Sequence, residues 1–164
     1  MKLTPNPILN VEVKNLSNGD SEIYNLFDYS YEALQEDIIA DLVEEGSIEY
    51  FYKTKFSTIL VENNFGLREC EVNLKNVCKL LDYAYDMYDI DAFLALFYAT
   101  GDNFTEWSKD DLDLKMEGST FYGNSLSDYV DSKDAPYFLR VRYYNQLKQD
   151  DEILDTPWGY IKIE

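Results

Sequence analysis

The sequence predicts an α+β protein, laid out as an elongated chain of three small modules. Three observations carry that expectation: strand-like alternation around a hairpin turn opens the chain, apolar residues at helical spacing dominate its middle, and a second hairpin pattern closes it. The expected boundaries are 1–66 for an N-terminal β-β-α-β module, 67–117 for a helical centre, and 118–164 for a C-terminal α+β module ending in the hairpin. The chain has 164 residues, 46% of them hydrophobic, which is enough to build a core.

In "ILNVEVKNL", Val11 and Val13 alternate with Glu12 and Lys14, as in a half-buried strand. "SNGD" follows, with an Asn-Gly pair able to supply positive φ, and "SEIYNLFDY" reads as the returning strand. From Ser30 the period changes: Leu34, Ile38 or Ile39, Leu42 and Val43 mark an amphipathic helix stopping at Gly46. "IEYFYKTKF" is aromatic and β-branched and predicts another strand. Helical spacing returns at Val72, Val77, Leu80, Leu81 and Ala84, breaks near Asp89, and resumes in "AFLALFYA", with Asp91 as the expected cap and Gly101 as the stop. A short helix is expected after Asn103, a loop or strand over "GSTFYGNS", one or two helical turns in "SLSDYVDSKD", and a helix opened by Pro136. The tail should form a hairpin turned at Pro157 to Gly159, with Tyr160, Ile161 and Ile163 closing a sheet.

Composition narrows the chemistry. Against 14 Lys and Arg stand 32 Asp and Glu, a net charge of −18. A field of that sign repels DNA, RNA and anionic membranes, and favours a basic partner, a cation or simple solubility. Aromatics reach 16%, including 15 tyrosines, so the acidity belongs to a folded protein rather than a disordered one. No apolar run is long enough to span a bilayer, and the first residues lack the apolar region of a signal peptide. Cys70 and Cys78 fit no common zinc or redox spacing and read as reduced thiols of a cytoplasmic protein. There is no histidine, which excludes Ser-His-Asp and Cys-His catalysis and His-ligated zinc. No Gly-rich phosphate loop is present. No cofactor or metal is expected, and no enzymatic activity.

The acids recur in every helical segment. "LLDYAYDMYDIDAF" sets Asp82, Asp86 and Asp89 at i, i+4 and i+7. Like charges at that spacing cost a helix about 0.2–0.5 kcal/mol per pair. "QEDIIADLVEEG" adds Glu36, Asp37, Asp41, Glu44 and Glu45, and "SKDDLDLKMEG" adds Asp110, Asp111 and Asp113. A calcium loop would need a glycine and a terminal glutamate that this pattern lacks. Paired carboxylates for glycoside hydrolysis arise by chance among so many acids. A solvated helix face explains a single stripe. Their spread permits mimicry of a nucleic acid: at one charge per about 1.7 Å of duplex axis, 18 charges match about 31 Å of DNA, and a homodimer about 61 Å. Tyr83, Tyr85 and Tyr88 are expected as core and boundary packing.

The segment order resembles the ArdA antirestriction family. "VEVKNLSNGDSEIYNLFD" is similar to that family's first hairpin, "FGLRECEVNLKNVCKLLDYAYDM" to its central helical segment, and "RVRYYNQLKQDDEILDTPWGYIKIE" to its closing pattern, while residues 103–134 depart from it. The resemblance implies an acidic homodimer that inhibits type I restriction enzymes by occupying their DNA-binding groove, with no direct contact to nucleic acid or membrane. Another target of the same kind would be a modification methyltransferase or a CRISPR effector. The alternative readings are an acidic interaction module without mimicry and a carboxylate- or metal-dependent enzyme. The least acidic segment, with Tyr137, Arg140, Arg142, Tyr143, Tyr144 and Leu147, is the expected dimer interface.

Overall fold

A computed structural model describes residues 4–44 and 46–164. Among them the chain is α+β, with seven α-helices and seven strands in two antiparallel sheets. It divides into two compact units: residues 7–86 with 103–108, and residues 4–6 with 87–102 and 109–164. The central segment expected over 67–117 contributes to both.

The first unit carries a four-stranded sheet in the order β2-β1-β3-β4. Its strands are β1 (Leu9–Asn15), β2 (Ser21–Asn25), β3 (Phe56–Asn63) and β4 (Cys70–Glu71). Leu9, Val11 and Val13 of β1 point inward and are fully buried. The turn to β2 uses Gly19 at φ 81°, a conformation open to glycine without steric cost. A single 3-10 turn (Leu26–Asp28) leads to α1 (Tyr31–Leu42). The Ser30 hydroxyl caps α1 by accepting from the Ala33 N–H, and Leu34, Ile38 and Leu42 face the sheet side as a buried stripe. That stripe was legible as written.

The next segment was not. Ile48–Lys53, expected as strand, is a helix, α2, and β3 begins only at Phe56. Ser47 caps α2 by accepting from Tyr50 N–H, Glu49 pairs with Lys53 one turn on at 3.0 Å, and the Thr54 hydroxyl closes the last turn on the Tyr50 carbonyl. These local bonds outweigh the β preference of the side chains. The opening order is therefore β-β-α-α-β. α3 (Leu74–Met87) follows β4 and buries Val77, Cys78, Leu80, Leu81 and Ala84. A 3-10 turn at Phe104–Glu106 returns to this unit, where the Phe104 ring meets Phe65 edge-on.

The second unit packs α4 (Ile90–Ala99) against a three-stranded sheet in the order β5-β7-β6. The strands are β5 (Ser119–Gly123), β6 (Ile153–Thr156) and β7 (Gly159–Ile163), and α5 (Lys109–Glu117), α6 (Leu126–Asp131) and α7 (Tyr137–Lys148) complete the unit. Every residue from Ala92 to Phe97 is buried, as expected of a helix that is apolar on all sides. Trp158, at the turn of the closing hairpin, is 1% exposed and donates its indole N–H to the Pro5 carbonyl at 3.0 Å. A smaller cluster of Tyr122, Val130 and Leu147 sits beneath α6 and α7. No helix among the described residues is long and apolar enough to cross a membrane.

Candidate functional site

None of the described Asp and Glu side chains is buried, and all but Glu12, Asp91, Asp113 and Asp150 are exposed. The densest convergence lies on the first unit. Burying Leu34, Ile38 and Leu42 leaves α1 with acids on both flanks: Glu32 and Glu36 at i, i+4 on one, Asp37 and Asp41 at i, i+4 on the other. α3 likewise presents Asp82 and Asp86 outward.

These groups feel one another across elements. The Asp82 carboxyl is held above the usual carboxylate range by partial burial first, then by the charges of Glu32 and Asp86. Burial pushes the Cys78 thiol up to about 12, reinforced by Asp82 and Glu32. Tyr85 is raised by burial and by Asp28 and Asp82. Asp28, Glu32, Asp82 and Asp86 therefore share one electrostatic neighbourhood. Lys75 and Lys79 continue the α3 stripe toward its start. Glu49, Asp102, Asp131, Asp150 and Glu152 form ion pairs, and these five acids all lie off α1 and α3.

What holds the acids in place is tyrosine. The Tyr24 hydroxyl donates to Asp41 at 2.8 Å, and burial together with that bond raises its pKa. Asp37 beside Tyr29 is the largest cause of that phenol's rise to about 12, ahead of burial. In the second unit Tyr88 donates to Asp113. A phenol orients a carboxylate without cancelling its charge, as a lysine or arginine would.

The remaining predicted acids are distributed as follows. Glu44 is exposed just past α1, and Glu45 lies outside the described residues. Asp89 does not extend the α3 face, because α3 ends at Met87; its carboxylate caps α4 by accepting from Ala92 N–H, the role expected of Asp91. Asp91 sits in the first turn of α4, its carboxyl raised by burial and then by Asp89. Asp110 and Asp111 are exposed in the first turn of α5, where the helix dipole favours negative charge. Asp113 is half-buried. The sequence reading missed Asp28 and Glu32, which complete the first unit's cluster. The i, i+4 spacing of Glu32 and Glu36 was available as a signal; nothing local marks Asp28.

The expected dimer segment also divides. Leu147 is 7% exposed and belongs to the core cluster, with Tyr143 and Tyr144 packed against it, so these three face inward on their own protomer. Tyr137 remains exposed, Arg140 pairs with Asp131 at 3.4 Å, and Arg142 is exposed. Cys70 and Cys78 are free thiols. Compared with known proteins, the chain matches no family model, no curated protein and no solved structure.

Proposed function

We propose that this chain is a cytoplasmic, non-enzymatic DNA mimic that occupies the DNA-binding groove of a host-defence nuclease or modification enzyme. The likeness to the ArdA family points to a type I restriction–modification enzyme as the target, with a CRISPR effector as a second candidate of the same kind. One observation carries the reading: the Asp41 carboxylate on α1 is held by the neutral hydroxyl of Tyr24, with Tyr29 set against Asp37, and a further cluster of Glu32, Asp82 and Asp86 forms on the same unit. A surface evolved only for solubility gains nothing from fixing its acids in place, whereas a phosphate mimic needs them both ordered and charged.

In this reading no residue is catalytic and no cofactor takes part. Asp28, Glu32, Glu36, Asp37, Asp41, Asp82 and Asp86 form the principal mimic face. Lys and Arg of the target groove meet many carboxylates at once, so association is steered and salt-sensitive. The test is displacement of a labelled duplex from a purified type I restriction enzyme. Displacement that is competitive and weakens as salt rises supports the mimic. Binding that leaves the duplex in place would instead identify an acidic interaction module without mimicry.

A further inference from the structure

We propose that the cleft lined by β5, α6 and α7 binds an adenine nucleoside, read through the side-chain amide of Asn124. This goes beyond the DNA-mimic reading and stands without it.

The cleft lies wholly within the second unit and has a volume of about 850 Å³. Small-molecule sites run to about 300–1,000 Å³. Four tyrosines line it: Tyr122, Tyr129, Tyr144 and Tyr160. The Tyr122 and Tyr129 rings stand nearly perpendicular, at 80°, with their centres 4.9 Å apart. A bulge in β5 builds this wall. Phe121 pairs with Ile161 and Gly123 with Tyr160, so Tyr122 is the extra residue, and Gly123 turns the strand at a φ of 78°. Such bulges re-aim a side chain and recur next to active sites.

Asn124 follows the bulge and also lines the cleft. Its Oδ1 is buried and meets no donor among the described residues, although the side chain as a whole is only half-buried. Buried polar atoms are otherwise paired, with few exceptions. Rotation about the last side-chain bond turns that oxygen toward the cleft, where it calls for an N–H donor. An Asn amide matches the edge of adenine, Oδ1 accepting from the N6 amine and Nδ2 donating to N7. Guanine and hypoxanthine carry an oxygen in place of that amine, which would set acceptor against acceptor. Tyrosine faces stack on bases, and the Ser125 and Ser127 hydroxyls, 3.1 Å apart, can pair with those of a sugar.

Charge narrows the ligand further. The field of a chain of net charge −18 repels an oligonucleotide. Asp128 and Lys148 both line the cleft, so neither a lone cation nor a lone anion is favoured. A neutral, planar, hydroxylated ligand satisfies both conditions.

The test titrates adenosine into the full-length chain, with affinity read by calorimetry and location by amide NMR shifts. Binding is expected at about 0.1–1 mM, the scale for a ligand of this size, with shifts confined to the cleft. Inosine should bind about tenfold or more weakly, since it loses the N6 donor. Asn124→Leu should lose adenosine by a similar factor while Tm holds or rises, because it removes a buried unpaired oxygen. A damaged fold would lower both together. Arginine, as a cationic control, should not displace adenosine. The proposal is overturned by absence of saturable binding, by inosine binding as well as adenosine, by displacement with arginine, or by an Asn124→Leu chain that binds like wild type.

Discussion

Replacing Asp82 and Asp86 together by Asn should stabilise the protein while weakening its hold on the target. The two carboxylates repel along α3, and Asp82 is also opposed by Glu32 of α1. Each such pair costs about 0.2–0.5 kcal/mol. Because both side chains are exposed, solvent screening keeps the joint relief to about 0.5 kcal/mol. For a chain of this length that is an upward shift in Tm of about 1–2 °C. The pH dependence has a definite sign. Asp82 binds its proton more tightly in the folded state than in the unfolded one, so its penalty is absent below the unfolded pKa and complete above the folded one. The variant's advantage should therefore be largest at neutral pH and low salt, and should vanish as pH falls through the carboxylate range. Asp89 is left intact because it caps α4. Thermal unfolding by circular dichroism, run against pH and salt beside the duplex-displacement assay, checks both halves. A variant less stable than wild type at neutral pH would mean that these aspartates hold the fold together. A stable variant that displaces duplex as well as wild type would remove α3 from the mimic face.

Tyr24→Phe leaves the net charge untouched but frees Asp41 to swing in water; it should cost about 1 kcal/mol of stability and weaken duplex displacement, measured by the same two assays. If displacement is unchanged, ordering of that carboxylate contributes nothing to binding. Gly159→Ala should be the most damaging single methyl in the chain, since its Cβ would lie 2.8 Å from the Phe121 ring and 2.9 Å from the Gly123 carbonyl at a φ of 137°. Strain of about 1–3 kcal/mol from the backbone alone should appear as a clear loss in urea unfolding, and a neutral result would mean that the closing hairpin relaxes freely.

Where the sequence was readable, local chemistry and tertiary packing agreed. Ser30 followed by Leu34, Ile38 and Leu42 announced α1, and the Asn-Gly turn and the Pro157–Gly159 turn announced two hairpins, because cap, period and turn residue all pointed the same way. α2 was misread because Tyr50, Phe51 and Tyr52 suit a strand, while the bonds that make them helical come from Ser47, Glu49, Lys53 and Thr54. Leu147 looked like surface because α7 is apolar on several sides, and only the packing of α6 and β5 decides which side is covered. The acids themselves were plain. Their grouping was not, since Glu32 and Asp82 are fifty residues apart and meet through the fold. Tyr83, Tyr85 and Tyr88 were read as core and boundary packing, whereas Tyr24 and Tyr29 drew no reading, and nothing in their spacing revealed that Tyr24 holds Asp41 or that Tyr29 sits against Asp37.

The bond from the Trp158 indole to the Pro5 carbonyl spans 153 positions of sequence. A ribosome delivers Pro5 long before Trp158. Residues 7–86 leave the exit tunnel as a nearly continuous block and can begin to assemble while synthesis continues, needing only 103–108 to finish. The other unit has no such option. The segment around Pro5 must wait for the β6–β7 hairpin to emerge, so a chain broken off before β6 would carry one finished half and one that cannot close.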